Sequence, residues 1–378
     1  MNVSLEQRGE GAMLGLAVGD LMGSPFEGYD ITTDPREYEL FQGYDQVDPE
    51  DPTHGWKPRA VEMIDHIRGL PNKLVVEYIG YLGTNFWNYG ETTDDTAQAV
   101  ALAESLVANG GLDPQDAANR FVEWYDGGNG RGMGGTTALS LQLLDPEETH
   151  PPFPWDEAST VARRLTSRIP VHYKGRNHER PYPVRAVPSN GALMRVAPIG
   201  LWYRKSSYER LSATRDATVI THGFDECVEA SRVQTDIIAY LSLGIPKDEV
   251  LAMVQTLSPN VFKESKKALK QPTDELGHTG GAYTTLGVAL DSLENTDNFR
   301  DAIVSAINSS VLRQPWAADV DTYGAVAGAL AGACYGVEDI PKEWYELKHP
   351  DGSRHDLQPY GSAYLRSLGR TLVNSGVL

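Results

Sequence analysis

The sequence predicts an all-α fold, a compact orthogonal bundle of helices with inserted loops, and three observations predict it. Gly11, Gly15, Gly19 and Gly23 recur every four residues, and Gly324, Gly328, Gly332 and Gly336 repeat the pattern near the other end of the chain. Four-residue spacing puts small residues on one helix face. Each interior glycine costs about 1 kcal/mol relative to alanine, so eight of them in two helices require compensation from close backbone packing. Apolar residues also recur at helical spacing in segment after segment from residue 192 onward, and no run alternates as a strand does. Neither glycine-striped run reaches the roughly 20 apolar residues that span a bilayer, so the stripes belong to a globular core. The two striped helices are expected to be central and tightly crossed.

The composition sets limits on partners. The chain has 378 residues, 40% hydrophobic and 22% charged, and is read as a single domain, 1–378, with loop-rich insertions at about 29–90 and 146–188. A net charge of −19 argues against nucleic acid or an anionic membrane as partner. Cys227 and Cys334 are the two cysteines and make no disulfide framework; both stand in apolar helical contexts typical of free thiols. The first ten residues are polar and lack a signal-peptide core, which places the protein in the cytoplasm.

In chain order, the first helix is expected over 11–24, ending at Ser24-Pro25, with Glu27 on the loop that follows. Residues 29–90 are rich in Pro, Gly, Asp and Tyr, with short helices expected at about 58–68 and 73–82. That length suits a lid or an interaction surface. A helix starts at Thr96, and another at Asp113-Pro114, with proline in its first turn. It stops at residues 127–137, a glycine-rich loop whose backbone can present N–H groups to an anion ahead of the next helix, or serve only as a flexible turn. Residues 146–188 hold many prolines and the basic-aromatic run from His172 to Arg180, read as a solvated inserted loop. Helices are then expected at about 192–203, 207–220, 224–243, 246–258, 281–293 and 297–309. Lys263, Lys266, Lys267 and Lys270 form a solvent-exposed basic face.

Two helix starts carry the chemistry. Thr93, Asp94 and Asp95 open one helix, and Asp319, Asp321 and Thr322 open the second glycine-striped helix. A single Asp before a helix is ordinarily a cap. Two clusters of adjacent carboxylates and hydroxyls, with no Lys or Arg close by in sequence, are different, because the carboxylates repel unless a cation lies between them. Carboxylate and hydroxyl oxygens suit Mg²⁺, Mn²⁺ or Ca²⁺ rather than zinc. If the two starts meet, six oxygen-bearing side chains surround one pocket, enough for two metals.

Taken in order, Ala17-Val18-Gly19-Asp20 with Pro25-Phe26-Glu27-Gly28, then Thr93-Asp94-Asp95-Thr96, Gly132-Met133-Gly134-Gly135-Thr136-Thr137, Ser189-Asn190-Gly191-Ala192-Leu193-Met194-Arg195, Thr221-His222 and Asp319-Val320-Asp321-Thr322 resemble the motifs of the ADP-ribosylglycohydrolases. The resemblance runs from about residue 10 to 336. It implies a hydrolase that cleaves the glycosidic bond between ADP-ribose and an acceptor, most simply a protein arginine side chain, with two divalent cations, Mg²⁺ or Mn²⁺. It implies metal ligands at Thr93, Asp94, Asp95, Asp319, Asp321 and Thr322, and catalytic roles for Glu27, Asp319 and Asp321. It also implies substrate contacts from Gly132, Met133, Gly134, Thr136, Ser189, Asn190, Gly191 and His222, the last toward the diphosphate where an unaided reading makes it a helix cap. The partner is then an ADP-ribosylated protein or small molecule.

The chain departs from the family pattern around the last motif, with Ala317-Ala318 before it, Tyr323 after it and a longer segment, 309–316, leading in. Trp316 and Tyr323 are expected to crowd or stack in the site, leaving an acceptor other than arginine open. Two alternatives stand beside the hydrolase: an enzyme for a smaller ribosyl or nucleoside metabolite, and a non-catalytic ADP-ribose reader or structural member.

Overall fold

A computed structural model describes residues 3–24, 44–45, 57–58, 90–129, 132–165, 169–171, 182–269, 280–313, 319–348 and 354–376. Within them the architecture is helical. Helix α1 spans Leu5–Gly23 and begins six residues earlier than the glycine stripe suggests. The reason is a capping box: the Ser4 hydroxyl accepts from the Gln7 amide at 3.1 Å, and the Gln7 side chain accepts from the Ser4 amide at 2.9 Å. From Gly9 onward every residue of α1 is buried.

The chain continues through β1 (Tyr44–Asp45), β2 (Lys57–Pro58), α2 (Asp94–Asn109), α3 (Pro114–Trp124), α4 (Gly135–Leu144), α5 (Ala158–Arg164), β3 (Ile169–Val171) and β4 (Tyr182–Val184). After these come α6 (Ala197–Trp202), α7 (Ser207–Val219), α8 (Asp225–Ser242), α9 (Lys247–Leu257) and α10 (Pro259–Ala268). The last elements are α11 (Ala282–Glu294), α12 (Phe299–Arg313), α13 (Val320–Tyr335), β5 (Leu347–Lys348), β6 (Arg354–His355) and α14 (Ser362–Ser375). The six strands make three isolated antiparallel pairs, too short for a period-two pattern to show.

The core is built on the antiparallel pair α1 and α13, whose glycines mesh. Gly11 faces Gly332, Gly15 faces Gly328 and Gly19 faces Gly324, each so closely that a Cβ would enter the partner's carbonyl oxygen. Gly23 lies against the backbone of Val320 and Asp321, where a Cβ would stand 2.5 Å from the Asp321 Cα. The two helices thus run side by side along four turns rather than meeting at a single crossing. Gly9 meets Gly369 of α14 in the same way, and Glu10, only 4% exposed, accepts from Arg366 and Arg370 of that helix. Helices α11 and α12 pack on α13, and α8 packs on α6 and α7.

Several boundaries differ from expectation. The helix expected over 192–203 is a 3-10 turn at Leu193–Arg195 followed by α6, with Pro198 in the first turn of α6. The helix expected at about 246–258 does end at Leu257, with Ser258-Pro259 separating α9 from α10. The region 146–188 is no structureless loop: it holds α5, whose Ala158, Ser159 and Ala162 are buried, and the β3–β4 pair. Lys263, Lys266 and Lys267 are exposed as expected, Lys266 pairing with Glu294 and Lys267 with Glu264. Cys227 is buried and Cys334 half-buried, both free. Glu27, Lys270, Trp316, the basic run 172–180 and the helices expected at 58–68 and 73–82, apart from Pro58 in β2, lie outside the described residues.

Candidate active site at the converging helix starts

The glycine mesh decides where the charged helix starts fall. Asp20 lies on α1 one turn before Gly23, with 0% exposure, beside the segment that opens α13. Its carboxylate accepts from the Thr93 amide at 3.0 Å, the Thr96 amide at 3.2 Å and the Thr96 hydroxyl at 2.5 Å. Asp20 therefore satisfies N–H groups at the start of α2 from another helix. Thr93 caps α2 as well, its Oγ1 accepting from the Asp95 amide at 3.3 Å and donating to Asp95 Oδ2 at 3.2 Å.

The start of α13 is not capped by the side chain at its N-cap position, Asp319. Asp319 makes no cap bond; its Oδ2 accepts from Asn190 Nδ2 at 2.9 Å. A Cβ on Gly280 would lie 2.5 Å from the same oxygen, so glycine there leaves Asp319 its room. Asp321 and Thr322 are buried beside Gly23, and the Asp321 carboxylate accepts from the Thr322 amide at 2.8 Å.

The electrostatics join the two starts. Burial first, then the charges of Asp20, Asp94 and Asp319, raise the Asp95 carboxyl well above the usual range, against a hydrogen bond from Thr322. Burial also raises Asp20, to about 6, against its bonds from Thr96 and Thr93. Asp95 Oδ1 is buried with no hydrogen-bond partner. A repulsive set of hard oxygens with an orphaned, desolvated lone pair fits a divalent cation of the Mg²⁺ or Mn²⁺ type. Among the described residues no three Asp, Glu, His or Cys side chains form a ready-made cage, so hydroxyls and water must complete any coordination sphere.

The substrate-side candidates gather next to this cluster. Gly132 takes a positive φ of 81°, and Gly134 precedes the first turn of α4, where a Cβ would meet nothing within 4 Å. Met133 is buried in the core cluster. The Thr136 hydroxyl bonds both the Val187 carbonyl and the Val187 amide at 3.0 Å, which ties the α4 start to the turn 189–191. In that turn Asn190 reaches Thr285 as well as Asp319, and Gly191 sits against Thr137 Oγ1 and the His222 ring. One turn thus connects the glycine-rich loop to the carboxylate cluster.

His222 does not cap α8, whose N-cap is Phe224. It is fully buried, with Nε2 2.9 Å from Ser189 Oγ and Nδ1 2.8 Å from Thr221 Oγ1. Burial, with the charge of Arg195 second, holds its imidazole well below the ordinary value, so it is neutral. Arg195, also fully buried, donates to Gln98 Oε1 at 2.5 Å and to Thr221 Oγ1 at 2.6 Å, and lies 4.2 Å over the Phe121 ring. Burial lowers it to about 9 while Asp94 opposes that shift. Tyr323, expected to crowd the pocket, is packed in the core at 1% exposure; burial and Asp319 raise its phenol well above the usual value.

Asp20 and Arg195 stand inside the sequence motifs, but the sequence assigns neither a role in the site. Both carry a signal in hindsight: each is a lone charge inside an otherwise apolar run that the structure buries completely.

Comparisons with known proteins bear on the family and the fold. A family model described as ADP-ribosylglycohydrolase matches residues 1–371. ADP-ribosylarginine hydrolase Tri1 of Pseudomonas putida is 28% identical over 342 residues, covering 90% of this chain and 73% of its own. ADP-ribosyl-[dinitrogen reductase] glycohydrolase of Rhodospirillum rubrum is 25% identical over 90% of each chain. ADP-ribosylhydrolase ARH3 of Homo sapiens is 24% identical over 90% of this chain and 88% of its own. A solved structure titled ADP-ribosylglycohydrolase-related protein complex superimposes with a TM-score of 0.62 at 26% identity, covering 99% of both chains.

Proposed function

The chain belongs to the ADP-ribosylglycohydrolase family, and we propose that it removes ADP-ribose from arginine side chains of proteins with the help of two divalent cations. It is a glycohydrolase of ADP-ribosyl bonds. The arginine acceptor is supported by the ADP-ribosylarginine hydrolases of Pseudomonas putida and Serratia proteamaculans, both similar over 90% of this chain.

The observation that carries the reading is the oxygen cluster where α2 and α13 begin, with Asp95 Oδ1 buried and unpartnered. Thr93, Asp94, Asp95, Asp319, Asp321 and Thr322 would hold the cations, Mg²⁺ or Mn²⁺. When bound, such ions orient vicinal hydroxyls of a ribose and lower the pKa of a coordinated water. The chain's own groups do the rest. Asn190 fixes Asp319 in the orientation from which its other oxygen can take a proton from the attacking water. Asp321 is the second candidate base, and Glu27 is the acid proposed to serve the departing acceptor. Gly132, Met133 through its backbone, Gly134 and Thr136 border the α4 N-terminus, which suits a diphosphate. Ser189, Asn190 and Gly191, with His222 behind them, form the wall between diphosphate and ribose.

The test is release of ADP-ribose from arginine-linked, serine-linked and small-molecule-linked substrates. Preference for the arginine linkage by at least about tenfold in kcat/KM supports the acceptor assignment. Preference for a free ribosyl metabolite moves the enzyme to the smaller substrate, and binding of ADP-ribose with no turnover anywhere makes it a reader.

A further inference from the structure

The buried bonds around His222 have a direction. A guanidinium has no acceptor, so Arg195 must donate to Thr221 Oγ1 across their 2.6 Å contact. The Thr221 hydroxyl then has one proton left, and His222 Nδ1, 2.8 Å away, is its only hydrogen-bond partner among the described residues besides Arg195. Were Nδ1 protonated instead, Thr221 would face two donors, and its own proton would have no acceptor in a site from which water is excluded. Thr221 therefore donates to Nδ1, and the ring carries its proton on Nε2. That proton goes to Ser189 Oγ at 2.9 Å. Ser189 accepts from His222, and among the described residues its own hydroxyl proton has no protein acceptor. A Cβ at position 191 would stand 3.0 Å from the ring's Cε1, so glycine there leaves the ring its room, and the bonds at both nitrogens hold it in place.

We propose that Arg195 and Thr221 lock His222 in its Nε2–H form, and so make Ser189 a one-way donor to an unprotonated ligand oxygen, a phosphoryl oxygen of ADP-ribose. The ligand half rests on the proposed ADP-ribosyl reading; the tautomer does not. Arg195 and Thr221 are positioning residues that touch no substrate. They also reach the cation cluster, since Arg195 bonds Gln98 of α2 one turn beyond Asp94 and Asp95.

Histidine-selective ¹⁵N spectra of the whole protein test the first half, with the His222 signals identified by their loss in His222→Gln. The expected pattern is a neutral ring protonated at Nε2 alone, disturbed in Thr221→Val and restored in Thr221→Ser. An Nδ1–H ring or an imidazolium in the unaltered protein at pH 7 overturns the proposal, whether or not any variant folds. Calorimetry with ADP-ribose, ADP and adenosine tests the second half. Thr221→Val is expected to weaken ADP-ribose and ADP about tenfold and to leave adenosine unchanged. Affinities in Thr221→Val unchanged from those of the unaltered protein overturn the donor role, and equal loss on adenosine overturns the phosphoryl assignment. Failure of the unaltered protein to bind ADP-ribose removes the ribosyl reading and the ligand half together, while the spectra still decide the tautomer.

Discussion

Asp95 shows what a functional carboxylate costs a fold. It is buried, opposed by three neighbouring carboxylates and leaves one oxygen without a partner, which is tolerable only if a cation compensates. Asp95→Asn is expected to raise the stability of the chelator-treated protein by about 1–3 kcal/mol in urea unfolding while removing metal-stimulated turnover. An unaltered or lowered midpoint contradicts that. His222 gives a pH dependence of the opposite kind. Its folded value lies well below the ordinary 6.5, so the unfolded chain binds the proton more readily. The stability it contributes is whole above pH 6.5 and is lost as the pH falls below it. His222→Gln should flatten the acid limb of the stability curve by about one proton, roughly 1.4 kcal/mol per pH unit. Matching acid limbs in the two proteins would refute the buried neutral ring.

At the scale of elements, the α1–α13 pair sets the site as well as the core. Because Gly19 meets the Gly324 carbonyl without room for a Cβ, Gly19→Ala must push the helices apart. The expected loss is about 3 kcal/mol or more in chemical denaturation, with weakened metal binding, since Asp20 and Asp321 ride on the two helices that separate. A loss below about 1 kcal/mol would show that the pair yields cheaply. This pairing was legible in the sequence, because eight glycines at four-residue spacing have few other uses. The helix starts were legible too, from Thr93 through Asp95 and from Asp319 through Thr322. What was not legible was the fifth carboxylate: Asp20 reads as an interior charge, and only the folded chain brings it to the Thr93 and Thr96 amides at the start of α2. The reading of His222 as a helix cap fails for the same reason, as the ring bonds Ser189, 33 residues away. The break before Pro198 was hidden by apolar spacing that continues across it.

For the molecule as a whole, the family matches over residues 1–371 and the glycohydrolase fold follows from it. No helix among the described residues is long and apolar enough to cross a membrane. The net charge of −19 sets a background against which the anionic diphosphate of the substrate is repelled at long range. The cluster at α2 and α13 concentrates part of that charge at one place, and compensating it with cations is the central claim. The direct measurement is ADP-ribose release from an ADP-ribosylarginine protein with Mg²⁺, with Mn²⁺ and with chelator, beside Asp319→Ala. Release that requires a divalent ion, and falls by at least about a thousandfold in Asp319→Ala, is the predicted result. Release that persists in chelator, or that survives Asp319→Ala, would contradict the account.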